Sequence, residues 1–303
     1  MSASVIKLVY ITRHIRNLRG GSQSILAQAS DGLLYVVKFT NNLQGTNLPF
    51  NESLGSELYR ACGLPVPSWK LLLVTDAFID QNQDCWMHTP EGRLRPASGF
   101  CFGSRYLGGE GIRLVEILPG TSFKRVRNYK DFWLAWLIDI CAGHADDRQA
   151  IFLEESTGRF DAFFVDHGHL FGGPKGGQQP HFLASRYFDP RIYQSISSRQ
   201  LLIFRKIAGN IDVDKLWRHS QELPLDWKTT SALKGLNECL GRVSNTAFLR
   251  NVLATIVEAQ RQYNEREVNH EPNPNFPVLR PRIQATGSEH HLVAYRASRS
   301  VCA

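Results

Sequence analysis

The sequence predicts an α+β chain of two lobes, a small β-rich N-lobe with one helix and a larger, mainly helical C-lobe. Three observations predict it. Runs of β-branched and aromatic residues separated by turn residues fill the first hundred positions. Residues 129–141 are apolar nearly all round, the mark of a buried helix. Helical periodicity dominates from residue 198, and Phe248, Leu249, Val252, Leu253, Ile256 and Val257 line one face of 243–260. The 303 residues suffice for one large or two modest domains. With 43% hydrophobic and 21% charged residues, wholesale disorder, collagen and coiled coil are excluded.

The elements follow in order. Residues 5–12 are rich in β-branched positions and read as a strand. Residues 24–29 and 33–39 flank Asp31-Gly32, the usual tight-turn signal of a hairpin. Asn51 is suited to cap a helix over 52–62, which Gly63 and Pro65 end. Residues 69–76 form a further strand. Residues 81–99 are polar and turn-rich, with a hairpin expected at Glu91-Gly92. Residues 100–106 run as a short strand into Gly108-Gly109. Beyond the apolar helix, 150–154 and 159–166 are short strands around Thr157-Gly158, and 168–177 is glycine-rich. The expected division is an N-lobe over 1–106, a C-lobe over 107–265 and a proline-containing tail over 266–303.

Charge and composition bound the partners. The formal net charge is +7 with a pI near 9.2, both signs being spread along the chain. That fits an anionic ligand such as a nucleotide, and no nucleic-acid motif accompanies it. The longest strongly apolar stretch, residues 132–141, contains Asp139 and is far shorter than the roughly 20 residues that span a bilayer. No membrane association and no secretory leader are expected. The six cysteines have no metal-ligand spacing and are expected as reduced thiols in a cytoplasmic protein.

Four features carry chemistry. Gly20-Gly21-Ser22-Gln23-Ser24 is a turn whose backbone N–H groups and hydroxyls can approach a phosphate. Lys38 lies in a strand that looks buried, where its ammonium can meet phosphates and pair with a helix carboxylate, Glu52 or Glu57. These two are five apart and point differently, so only one can serve. His144-Ala145-Asp146-Asp147-Arg148-Gln149 follows the apolar helix. A carboxylate there can accept the proton of a substrate hydroxyl, and an amide can hold a metal. Asp166, in Val165-Asp166-His167-Gly168-His169, ends an apolar strand and offers hard oxygens suited to magnesium. A zinc-dependent hydrolase built on His144, Asp146, His167 and His169 is a competing reading of the same residues.

The order of these features is the plan of a protein-kinase-like fold. Within it the chain resembles the HipA-like kinases, in their short stand-alone bacterial branch. The matching stretches are Asn51-Glu52 leading to Gly63-Leu64-Pro65-Val66-Pro67, Phe102-Gly103-Ser104-Arg105-Tyr106, Asp146-Asp147-Arg148-Gln149-Ala150-Ile151-Phe152, and Val165-Asp166-His167-Gly168-His169. The resemblance implies an ATP- and Mg-dependent phosphotransferase acting on a Ser/Thr hydroxyl of a protein or on a small molecule. It implies that Lys38 holds the ATP phosphates and that Asp146, or Asp147, is the catalytic base. Gln149 and Asp166 would bind magnesium, and a hinge including Arg105 and Tyr106 would meet adenine. Gln149 follows Asp146 by three residues where the usual kinase Asn follows by five, and His167 stands where Phe is usual. These departures carry the alternative of a nucleotide-binding pseudokinase without phosphoryl transfer.

Overall fold

A computed structural model describes residues 8–178 and 185–268. The chain runs β1 (Ile11–Asn17), β2 (Ile25–Ala29), β3 (Leu34–Lys38), α1 (Leu48–Ala61), β4 (Trp69–Val74), α2 (Asp76–Gln81), β5 (Met87–Thr89), β6 (Gly92–Leu94) and β7 (Gly99–Arg105). It continues with β8 (Arg113–Val115), α3 (Asp131–Cys141), β9 (Gln149–Glu154), β10 (Phe160–Val165), α4 (Ser198–Gly209), α5 (Val213–Glu222), α6 (Thr230–Val243) and α7 (Thr246–Val268). The α+β class expected from the sequence is the one observed. Five strands form a sheet in the order β1-β2-β3-β7-β4, every neighbouring pair antiparallel. A second sheet, β10-β9-β8, takes one strand from before α3 and two from after it, and β5-β6 is a separate hairpin at the expected Glu91-Gly92 turn. The described chain up to Gln260 is one compact unit, and the described residues from Arg261 fall outside it. Among the described residues no helix is long and apolar enough to cross a membrane.

Strand periodicity decides which way Lys38 faces. Tyr35 and Val37 belong to a core on one side of the five-stranded sheet, with Leu72, Val74 and Cys101, covered by Phe78 and Ile79 of α2. Side chains alternate, so Lys38 faces the other side. Its register partner Phe102 belongs there to a second core, with Phe50, Leu54, Leu58 and Tyr59 of α1. The same core takes in α3, whose Phe132, Trp136 and Leu137 are fully buried. Burial of this kind is worth about 1.5–3 kcal/mol per large side chain.

Several boundaries differ from expectation. The first strand is Ile11–Asn17, and Met1–Lys7 lie outside the described residues. Helix α1 begins at Leu48 with Asn47 at its N-cap and a proline in its first turn. Asn51, expected as the cap, is buried inside the helix and bonds elsewhere. Helix α2 was not expected; Thr75 caps it by accepting from the Phe78 amide at 3.2 Å. Of the tail expected over 266–303, residues 266–268 still belong to α7, and 269–303 lie outside the described residues.

Candidate active site

Three charged residues from distant elements meet at one point. Lys38, the last residue of β3, donates to Oε1 of Glu52 on α1 and, at 2.9 Å, to Oδ1 of Asp166 just beyond β10. Glu52 is thus the partner that serves. Glu57 lies apart, accepting from Arg60 and from the Trp69 indole at 2.8 Å. Gln149 opens β9 directly opposite Val165, and its Nε2 donates to the other Asp166 oxygen at 2.7 Å.

The electrostatics follow from burial and charge. Burial alone would lower Lys38, but Asp166 and Glu52 outweigh it and hold the ammonium well above its ordinary range. Burial would raise Asp166, yet the Lys38 ammonium holds it well below the usual carboxylate range. Glu52 is raised, because its burial exceeds the opposing pull of Lys38. The Asp166 side chain is 25% exposed, while that of Glu52 is 2% exposed. Asp166 is therefore the carboxylate open to a ligand, and Glu52 the one that fixes the lysine.

The loop after Asp166 is stitched to α1. The Glu52 Oε2 accepts the His167 amide at 3.1 Å. Asn51 Nδ2 donates to the carbonyls of Gly168 and Leu170, both at 2.8 Å. The approach is close enough that a Cβ at Gly55 would lie 2.5 Å from the His167 Cβ. Beyond the loop, Asn47 donates its amide to the Pro174 carbonyl at 2.9 Å and accepts from Thr229 at 2.5 Å.

The remaining predicted residues lie on loops and at a strand end. Asp146 is a third exposed; its Oδ1 accepts the Asp147 amide at 2.9 Å, and its Oδ2 lies 4.0 Å from Nε2 of His169. Asp147 is exposed. The glycine turn joins β1 to β2, with Gly20 at φ +125° and Gln23 at φ +43°. Ser22 and Ser24 share a hydrogen bond of 2.9 Å between their hydroxyls. Gly21 faces Gln44, whose Nε2 lies 3.5 Å from His169 Nε2, so one side chain separates the turn from the Asp146 loop. Gln23, expected to face a ligand, is committed to His88. It donates to that carbonyl at 2.8 Å and accepts from that amide at 2.6 Å. Arg105 and Tyr106 lie where the five-stranded sheet ends, their amides donating to Ser68 and Leu34 at 2.7 and 2.9 Å.

The zinc-hydrolase set does not come together. Among the described residues no three His, Cys, Asp or Glu side chains are grouped to hold a metal. His144 and His167 are buried, and burial, reinforced by Arg148, holds both well below the ordinary histidine range. A magnesium site of the other kind asks less of the protein, because phosphate oxygens and water complete the shell. Asp166 and the Gln149 amide fit that demand: a carboxylate has about four acceptor positions, and two are used here.

Sequence reasoning did not pick out Gln44 or Tyr59, and it named Asn51, Asp139 and Arg148 without the contacts they make here. One signal was present: Asp139 interrupts the apolar run of α3 well past its first turn, and a buried charge requires a partner. That partner is Arg148, which donates to it at 2.8 and 2.6 Å.

No protein-family profile and no curated protein matches the chain. Among solved structures it is similar to the Golgi casein kinase, at 12% identity and a TM-score of 0.47, over 88% of this chain and 78% of that one. It is also similar to the Golgi casein kinase with Mn/ADP bound, at 11% identity and a TM-score of 0.43, over 88% and 77%. These are loose likenesses, and the functional reading rests on the residues of the site itself.

Proposed function

We propose that the chain is an ATP- and magnesium-dependent phosphotransferase of the HipA-like kind, acting on a Ser/Thr hydroxyl of a protein or on a small molecule. The observation that carries it is the junction of Lys38, Glu52 and Asp166, three residues the sequence separates by up to 128 positions. In this reading Glu52 holds the Lys38 ammonium against the α- and β-phosphates. Asp166 and Gln149 hold the metal, which when bound would neutralise phosphate charge. Asp146 accepts the proton of the attacking hydroxyl. The glycine turn covers the phosphates through Gly20, Gly21, Ser22 and Ser24, and Arg105 and Tyr106 border the adenine. The division at residue 106 and a cytoplasmic location belong to the same reading. Phosphoryl transfer needs mainly positioning and charge neutralisation, which these groups supply.

The test is calorimetric titration with a non-hydrolysable ATP analogue, with and without magnesium, beside transfer assays. Lys38→Ala is expected to abolish binding. Asp146→Asn is expected to bind normally and to lose transfer by a factor of about 10²–10⁴. Binding without transfer in the unaltered protein favours the pseudokinase reading, for which the short Asp146–Gln149 spacing and His167 speak. No binding under either condition overturns both.

A further inference from the structure

The peptide between Asp166 and His167 is gripped at both ends. Its carbonyl accepts from Arg148 Nη1 at 3.3 Å, and its amide donates to Glu52 at 3.1 Å. The same Nη1 donates to the Val165 carbonyl at 3.0 Å and lies 3.3 Å from Nδ1 of His167. Arg148 is 1% exposed. Its remaining nitrogens fork onto Asp139, the Tyr59 hydroxyl donates to that carboxylate at 2.6 Å, and the guanidinium lies 4.9 Å from the Tyr59 ring centre. One buried cation thus ties α1, α3, the Asp146 loop and the backbone around Asp166 together.

Two physical points give this network a purpose. Asp166 has φ +60°, a left-handed conformation uncommon outside glycine and held only when the surroundings enforce it. A buried arginine–carboxylate pair is a poor way to gain stability alone, because apolar replacements of similar volume often do as well. The planar guanidinium does what they cannot: with two nitrogens forked onto Asp139, its third is held where it meets two consecutive carbonyls, those of Val165 and Asp166.

We propose that Arg148 is a positioning residue for Asp166, holding its left-handed backbone so that the carboxylate faces Lys38, Gln149 and the magnesium they would share. This rests on the reading of Asp166 as the metal-binding carboxylate. The experiment is calorimetry on the full chain with the ATP analogue, with and without magnesium. The quantity read is the gain in affinity that magnesium confers. Arg148→Lys, which keeps the charge and loses the fork, is expected to leave metal-free binding at the unaltered level. Its magnesium-dependent gain should shrink by about 10- to 100-fold, as when groups behind a metal ligand are removed. A folded Arg148→Lys with the full gain overturns the inference. Should that variant not fold, Tyr59→Phe removes only the hydroxyl that orients Asp139. A reduced gain there supports the inference, and an unchanged gain overturns it. Absence of nucleotide binding in the unaltered protein instead overturns the phosphotransferase reading, and this inference falls with it.

Discussion

Gly55 sits mid-helix, where glycine usually costs about 1 kcal/mol relative to alanine. The expected gain from Gly55→Ala is reversed here. The new methyl would lie 2.5 Å from the His167 Cβ and 2.7 Å from a Leu170 methyl, and neither can yield without moving the loop that carries Asp166. Forcing a carbon into such a seam costs about 1–3 kcal/mol. Gly55→Ala is therefore expected to lower the denaturation midpoint, and a raised midpoint would show that the seam is slack. The sequence places Gly55 on a helix and reveals nothing of this contact, because the partner lies more than a hundred residues away. Lys38 differs: its position in a buried-looking strand marked it at once. Glu52 and Glu57 could not be separated by spacing alone. Only the packing of α1 turns one toward Lys38 and the other toward Trp69.

Among the elements, the β1–β2 turn owes its position to the β5–β6 hairpin. The Gln23 side chain acts as a short length of strand, giving and receiving one backbone hydrogen bond at His88. Each such bond is worth about 0.5–1.5 kcal/mol net. Gln23→Ala is expected to release the turn and to weaken nucleotide binding by roughly three- to tenfold, the cost of ordering the cover at each binding event. Midpoints of unfolding should barely move. Unchanged affinity in calorimetry would mean that the turn does not touch the nucleotide. Both hairpins were legible from Asp31-Gly32 and Glu91-Gly92, since tight turns are local. The start of α1 was not. Asn51 has the chemistry of a cap, but its amide satisfies the Gly168 and Leu170 carbonyls, and tertiary demand overrode the local preference.

The whole molecule should respond to acid through His144. This residue is 1% exposed, neither ring nitrogen has a hydrogen-bond partner among the described residues, and burial beside Arg148 holds it well below 6.5. The unfolded chain takes up a proton there as pH falls through about 6.5, and the folded chain does not. Stability from this group is therefore present above that pH and lost below it, by about 1.4 kcal/mol per pH unit. Chemical denaturation between about pH 7.5 and about pH 5.5 should show the loss, and His144→Leu should remove about half of the slope, because His167 is buried and lowered in the same way and supplies the rest. An equal slope in the variant would assign the loss to other groups. At this scale the order of strands and helices was readable, because each is set by neighbours in the chain. The junction of β3, α1 and the end of β10 had no local cause, and only the succession of motifs pointed to it.

The grip on the Asp166–His167 peptide makes one proton a clock for the site. The His167 amide hydrogen is buried against Glu52, the same carboxylate that receives the Lys38 ammonium. Exchange of that hydrogen with deuterated solvent requires α1 and the Asp166 loop to separate, which withdraws Glu52 from the one or the other. Its exchange rate therefore counts how often the phosphate-facing lysine and the metal-facing aspartate come apart, in a resting molecule and with no substrate present.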